Sequence, residues 1–382
     1  MGFHEFSSPY DWSRIAAYKR TAKAAFGGMI DLSVGSPVDP VPDSVRKALA
    51  VAANDPNAYG YPATAGTADL RAAIAEWFSA ARNVDLQAIH ADVVPTVGSK
   101  EGVALMASLL HFGEDDVVVQ PKVSYPTYEI GTQLAGAQVL KVDDVADVAS
   151  WRNVPGVKAV WVNSPCNPTG EVYSAERMAG IVAAVREIGA VVLSDECYAL
   201  MQWRGATNSA DDDPLQSTPC ALRSDVCAGS AEGVLVLYSL SKQSNMAGYR
   251  TAFIAGDESL IASMSAYRKQ IGQIIPGPVQ AAMAAGLRDL ESVKVQHARY
   301  RERLGVLVSA LRAYGYCTDM PDGALYVWVR AKSGDCWTDM EQLAKIGIIA
   351  SPGEFYGAPE CLRFSATASD EAIASAAERL AC

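Results

Sequence analysis

Ser239-Leu-Ser-Lys242, followed after seven intervening residues by Arg250, gathers two hydroxyls, an amine and a guanidinium into one short segment. Arginine offers phosphate oxygens a planar pair of donors, and an amine held among such groups can act as nucleophile or proton carrier. Gly98-Ser99-Lys100-Glu101 precedes an apolar stretch at helical spacing (Val103, Ala104, Ala107, Leu110). A Gly-Ser turn at a helix start presents free N–H groups and the positive end of the helix dipole to an anion. Taken alone, such a turn more often serves only as an N-cap. Asn167 in Asn163-Ser-Pro-Cys-Asn-Pro-Thr-Gly170 and Asp195 in Ser194-Asp-Glu-Cys-Tyr198 add an amide and a carboxylate. A serine or lysine has many uses, so the elements that carry these groups decide the reading.

The middle of the chain alternates strand and helix patterns. Val157–Val162 is a β-rich run. Met178, Ile181, Val182, Val185 and Ile188 then fall at helical spacing, between an N-cap at Ser174 and a stop at Gly189. Ala190–Leu193 is a second buried run, so the three segments form a βαβ unit with parallel strands and a right-handed crossover. The same grammar places strands at Val117–Val119, Val234–Tyr238 and Thr251–Ala255. Asn167, Asp195, Ser239 and Lys242 all fall just beyond carboxyl ends of strands, where open parallel sheets bind ligands. From about residue 280 one long helix is expected over Pro278–Tyr314, then a strand from Gly323, a helix near Trp337–Ile346 and Arg363-Phe-Ser-Ala-Thr. The expectation is an α/β chain with a large domain at 43–278 and a smaller α+β domain from 1–42 and 279–382. The polar stretch Gly205–Glu232 reads as a surface excursion.

Length and composition narrow the classes. The 382 residues are half apolar and one-fifth charged, ordinary values for a globular chain, and no apolar run approaches the ~18 residues of a membrane helix. The N-terminus lacks a basic segment followed by an apolar one, so no export signal is read. A net charge of −11 without a basic run argues against a nucleic-acid surface. Eight scattered cysteines without a C-x-x-C pair give neither a metal-ligand spacing nor a disulfide framework. The expectation is a cytoplasmic protein with reduced thiols, no metal, no membrane and no nucleic acid.

The segments YPATAGTADLR (61–71), PTVGSKE (95–101), SYPTYE (124–129), NSPCNPTG (163–170), SDECY (194–198), SLSKQSNMAGYR (239–250) and LRFSAT (362–367) resemble, in order and spacing, those of fold-type-I pyridoxal-phosphate aminotransferases. The resemblance covers nearly the whole chain. It implies a large domain with a mostly parallel sheet plus a smaller α+β domain, and pyridoxal 5'-phosphate as cofactor. It implies that Lys242 forms the Schiff base and shuttles the substrate proton, and that Asp195 pairs with the pyridinium nitrogen and keeps it protonated. Asn167 and Tyr198 would hydrogen-bond the phenolic oxygen, and Tyr125 would stack on the ring. Ser99, Lys100 through its backbone N–H, Ser239, Ser241 and Arg250 would hold the phosphate. Tyr61 would reach the phosphate of a neighbouring subunit, which makes the enzyme a homodimer with shared active sites. Arg363 would grip the substrate α-carboxylate with two donors, with Asn167 beside it and Gly35 leaving room for it. Plainer roles exist for each: a solvated lysine, an N-capping aspartate, a turn asparagine before proline, a core tyrosine, a rim arginine.

Finer features, among them SVGSPVDPVP (33–42), IIPGPVQAAM (274–283) and SPGEFYG (351–357), are similar to actinobacterial N-succinyl-LL-diaminopimelate aminotransferases. That resemblance implies amino-group exchange between glutamate/2-oxoglutarate and N-succinyl-LL-diaminopimelate, a step of lysine synthesis. A distal carboxylate then needs further donors, and Arg268, Lys269 and the Lys100 side chain are candidates. The alternatives are an aminotransferase of aspartate, aromatic or alanine type, or a C–S β-lyase on the same scaffold. A ligand-sensing regulator fits poorly, because only about thirty residues precede Asp31 and no basic DNA-binding surface is seen.

Overall fold

The computed structural model describes residues 11–203 and 218–381. In chain order the first elements are α1 (Ile15–Ala24), β1 (Ile30–Asp31), α2 (Asp43–Ala53), α3 (Ala68–Arg82), β2 (Ala91–Val97), α4 (Ser99–Leu109), β3 (Val117–Pro121), α5 (Thr127–Leu134) and β4 (Gln138–Val142). Next come β5 (Val157–Asn163), α6 (Ala175–Glu187), β6 (Val191–Asp195), β7 (Val234–Ser239), α7 (Leu240–Gln243), β8 (Thr251–Asp257), α8 (Glu258–Gln270) and α9 (Gly277–Arg288). The last are α10 (Leu290–Ala313), β9 (Tyr326–Arg330), α11 (Cys336–Lys345), β10 (Ile348–Ile349), β11 (Ser351–Pro352), β12 (Cys361–Ser365) and α12 (Asp370–Ala381). The contacts divide them into two compact units. One comprises 37–301 with 321–324; the other comprises 1–36, 302–320 and 325–382.

The larger unit is built on a seven-stranded sheet in the order β2-β8-β7-β6-β5-β3-β4. Every pairing from β4 to β7 is parallel, and β8 runs antiparallel to both β7 and β2. The sheet is therefore mostly parallel, as expected, and six of its seven strands end at one edge. Side chains alternate across it with period two. Val160, Val162, Val192 and Val236 enter one apolar cluster with α3, α6 and α9 residues, while Ala159, Trp161, Leu193 and Leu237 enter another with Val103, Met106 and Met264. Burial on both faces explains why these strands read as continuous apolar runs. Ser174 caps α6 as expected, accepting from Arg177 N–H at 3.2 Å.

Three expectations from the sequence are corrected here. The helix expected over Pro278–Tyr314 is two helices, α9 and α10, because Asp289 interrupts it with φ −88° and ψ 64°. Its carboxylate accepts from Ser292 N–H at 3.0 Å and Ser292 Oγ at 2.8 Å, an N-cap in the middle of an apolar pattern that periodicity alone runs through. The expected domain change at 278/279 falls inside α9, whose packing on α2 and α3 keeps it in the larger unit. Nor is the stretch to Glu232 a surface excursion throughout. Cys220, Ala221, Leu222, Cys227 and Ala231 are at most 1% exposed and join the core; residues 205–217 of that expectation lie outside the described residues.

The smaller unit holds an antiparallel three-stranded sheet, β11-β12-β9, and the short parallel pair β1-β10. Its N-terminal helix α1 packs on α11. There Arg14 lies 3.9 Å over the Trp337 ring, and Trp337 Nε1 donates to Glu354 at 2.7 Å.

Candidate active site

Sheet register alone brings most of the expected groups together. Val97, the last residue of β2, pairs with Thr251 of β8, and Ser239, the last of β7, pairs with Ala252. Gly98, Arg250 and Ser239 are thus neighbours at one edge. One strand further along, Asp195 ends β6, and it pairs with Asn163 at the end of β5.

Ser99 opens α4 with Gly98 as N-cap, at φ 80° and ψ 155°, a conformation essentially reserved for glycine. Arg250, itself at φ 58°, folds its guanidinium back over that glycine and donates to Ala247 O at 2.7 Å and Val97 O at 3.4 Å. A Cβ built on Gly98 would fall inside the guanidinium. Beside it, Ser239 Oγ donates to Thr251 O at 3.2 Å and accepts from Ser241 N–H at 3.1 Å, with Ser241 Oγ at 2.7 Å. Hydroxyls, backbone N–H groups at a helix start and an arginine form a donor set suited to a phosphate. Gly98→Ala is expected to weaken binding of a phosphorylated cofactor about tenfold, since the strained backbone and the displaced Arg250 act together; a fluorescence titration of the apoprotein checks it.

Lys242 is the third residue of α7, just past β7, and is half-buried. Asp195 is 6% exposed. Burial pushes its carboxyl above the usual range, opposed by hydrogen bonds from Cys197 and from the Tyr128 hydroxyl. The Tyr128 hydroxyl donates to Oδ2 at 2.8 Å and Cys197 N–H to Oδ1 at 3.1 Å. Asn163 Nδ2 donates to Asp195 O at 2.9 Å, and its Oδ1 accepts from Asn167 N–H at 2.8 Å. One amide thereby fixes both expected residues, and Asn167 and Tyr198 are both buried. Tyr125 meets Tyr128 edge-on, centroids 5.7 Å apart. Cys166 and Cys197 are buried thiols; burial pushes Cys166 up to about 11 and Cys197 well above its usual value. Both stay protonated and need no redox role.

Two groups went unnoticed in the sequence. Tyr128 stacks on Trp161 at 4.4 Å and places its hydroxyl on Asp195. Arg82 and Glu196 form an ion pair of 2.8 Å with side chains 0% and 1% exposed. Arg82 also donates to Pro219 O at 2.8 Å, while Glu196 accepts from Ala221 N–H at 2.8 Å and Ser194 Oγ at 3.0 Å. Glu196 is thereby neutralised directly beside Asp195. Only the adjacency of two acids in SDECY hinted at it.

In the smaller unit Arg363 lies on β12, 5% exposed. Its guanidinium stacks 3.9 Å over Tyr326 and 4.8 Å from the Tyr356 ring centroid, and Nη2 donates to Ser33 O at 2.8 Å. A Cβ on Gly35 would overlap the Tyr326 hydroxyl, so glycine is required there by that ring. Among the distal-carboxylate candidates, Arg268 is withdrawn. It is 0% exposed and paired with Glu101 at 2.9 Å, whereas Lys100 and Lys269 are exposed. Tyr61 is fully exposed in the single chain. Among the described residues no group of three or more His, Cys, Asp or Glu could hold a metal, and no helix is long and apolar enough to cross a membrane.

A buried acid, a nearby amine and a phosphate cradle along one sheet edge suit an electron-accepting, phosphorylated heterocycle, and the class with this sheet is the fold-type-I pyridoxal-phosphate enzymes. Residues 27–380 match the family model for aminotransferases of class I and II; the chain belongs to that family and depends on pyridoxal phosphate. Its relatives include the 4-dedimethylamino-4-oxo-anhydrotetracycline transaminase OxyQ of Streptomyces rimosus, 40% identical over 97% of this chain and 98% of that one. A probable aminotransferase of Mycobacterium tuberculosis is 39% identical over 98% of this chain and 85% of its own. The LL-diaminopimelate aminotransferase of Syntrophobacter fumaroxidans is 28% identical over 97% and 95%. Among solved structures, the probable N-succinyldiaminopimelate aminotransferase of Thermus thermophilus superposes with a TM-score of 0.83, at 27% identity over 97% of this chain and 99% of that one.

Proposed function

We propose that the enzyme moves an amino group between glutamate/2-oxoglutarate and N-succinyl-LL-diaminopimelate, with Lys242 as the residue that carries the cofactor. The observation that supports this most is the set of Lys242, Asp195 and Gly98–Arg250 at adjacent strand ends. Bound pyridoxal phosphate supplies the conjugated sink for the electrons released at the substrate Cα. The half-buried Lys242 amine takes the Cα proton and returns it on the other side of the exchange. Asp195, held by Tyr128 and Cys197, provides the negative charge that keeps the ring nitrogen protonated. Asn167 and Tyr198 address the ring oxygen, and Tyr125 covers the ring. Ser99, the Lys100 N–H, Ser239, Ser241 and Arg250 hold the phosphate. Tyr61, exposed on each chain, serves the site of a second copy in a homodimer.

Arg363 takes the α-carboxylate. Bracketed by Tyr326 and Tyr356, its guanidinium plane is fixed before substrate arrives, which lowers the ordering cost of a two-donor contact. Arg363→Lys is expected to raise KM for every amino donor by about 10–100-fold, the worth of a charged hydrogen bond. Steady-state kinetics with glutamate check it; an unchanged KM would remove Arg363 from this role. Lys100 and Lys269 are the remaining candidates for the distal carboxylate.

The succinylated substrate is favoured by the motif resemblance and by the names of the Thermus and diaminopimelate relatives. OxyQ, at 40% identity, favours a second reading in which a ring ketone accepts the amino group. Absorbance titration of the holoenzyme separates the two. Loss of the visible band with N-succinyl-LL-diaminopimelate supports the first reading. A band unmoved by it but converted by glutamate, with turnover on a ring ketone, supports the second. Pyruvate and ammonia as products would instead mark a β-lyase.

A further inference from the structure

Glu101 lies in the first turn of α4, two positions beyond Ser99. A carboxylate there suits the helix dipole, yet it also lies within about one 5.4 Å turn of the helix end read as the phosphate site. A like charge so close works against a phosphate unless something cancels it. Arg268, near the end of α8, supplies the cancelling charge: its side chain is 0% exposed and Nη1 donates to Glu101 Oε1 at 2.9 Å. Nη2 donates to Gln273 O at 3.3 Å. Glu101 Oε2 and Arg268 Nε make no hydrogen bond among the described residues, so each charge is balanced chiefly by the other. With Arg268 buried and Glu101 partly buried, the pair is less screened by salt than an exposed one. The neighbouring cations Lys100 and Lys269 are exposed and more heavily screened.

We propose that Arg268 is a positioning residue for the cofactor phosphate: it neutralises and anchors Glu101, and so keeps the N-terminus of α4 electropositive for Ser99, the Lys100 N–H and Arg250. This rests on reading that helix end as the phosphate site. The inference separates Arg268 from a strap that merely ties α4 to α8. A strap would matter equally for ligands with and without phosphate, whereas charge cancellation matters only for the phosphorylated one. It also makes Glu101 the group whose removal relieves the loss of Arg268.

The test titrates apoprotein with pyridoxal phosphate and, separately, with pyridoxal, following protein fluorescence, for Arg268→Met, Glu101→Gln, the double variant and Arg250→Met. Arg268→Met is expected to weaken pyridoxal phosphate about tenfold while pyridoxal changes less than about twofold. The double variant should recover parental affinity, and Glu101→Gln alone should bind pyridoxal phosphate at least as tightly as the parent. Equal weakening for both ligands, or a double variant no better than Arg268→Met, overturns the proposal. Should Arg268→Met fail to fold, Glu101→Gln and the double variant carry the test, and selective loss of pyridoxal phosphate by either overturns it. Arg250→Met tests the underlying reading separately: if it leaves the preference for the phosphorylated ligand intact, the phosphate lies elsewhere.

Discussion

Lys242→Ala is expected to lower transamination by about 10⁴-fold or more, since positioned proton transfer alone is worth up to about that factor, while leaving a protein that still takes up cofactor. The residue follows β7, where the sheet's register sets Ser239 beside Arg250 and one strand away from Asp195. Groups proposed to hold the phosphate and the ring nitrogen belong to other elements and survive the substitution. The Cys197 thiol, which feels the Lys242 charge, does not replace the amine, since burial and the Asp195 charge hold it protonated. Two measurements check it, steady-state turnover and retention of cofactor on gel filtration. Turnover within about tenfold of the parent would assign the proton transfer to another residue. Loss of cofactor together with turnover would mean that Lys242, not Arg250 and Asp195, dominates binding. A small external amine restoring part of the rate would identify the missing group as an amine.

How much of this was legible in the sequence depends on which physical signal each part leaves. The parallel strands were legible because burial on both faces makes apolar runs of Val157–Val162 and Val234–Tyr238, and site residues just after such runs point to a sheet edge. The break at Asp289 was not, because Leu287, Val293 and their neighbours keep a helical apolar spacing across it, and only the capping of Ser292 shows the interruption. Arg268, a distal-carboxylate candidate in the sequence beside exposed Lys269, is buried against a partner on α4 remote in sequence, Glu101. The core position of Cys220, Leu222 and Cys227 was hidden by polar neighbours, since composition averages over a stretch whereas packing acts residue by residue. Tyr128 lies three residues after Tyr125, one helical turn away, and that spacing was the one available hint that both rings face the same region.

Asp195→Asn is expected to lower kcat/KM by at least about 10²-fold, as loss of a preorganised charge at a reacting centre does, yet to leave the apoprotein as stable as the parent, or more so, at neutral pH. The two effects have one cause. Burial raises the folded-state carboxyl of Asp195 above its unfolded value, and the bonds from Cys197 and Tyr128 offset this only in part. A group shifted in that direction gives stability that is fully present below the ordinary carboxylate range and is lost as pH rises through the raised value. Above that raised value the apoprotein carries a buried, ionised carboxylate at some cost, and asparagine removes the cost. In the holoenzyme the order should reverse, because the protonated ring nitrogen proposed to pair with Asp195 would favour the charged form that asparagine cannot adopt. Melting curves of apoprotein and holoprotein at several pH values test both halves. The apoprotein variant should gain on the parent as pH rises past the carboxylate range, and the holoprotein variant should melt lower and release cofactor sooner. A variant apoprotein destabilised equally at every pH would mean that Asp195 serves there as a hydrogen-bond acceptor for Tyr128 and Cys197, rather than as a charge held in readiness.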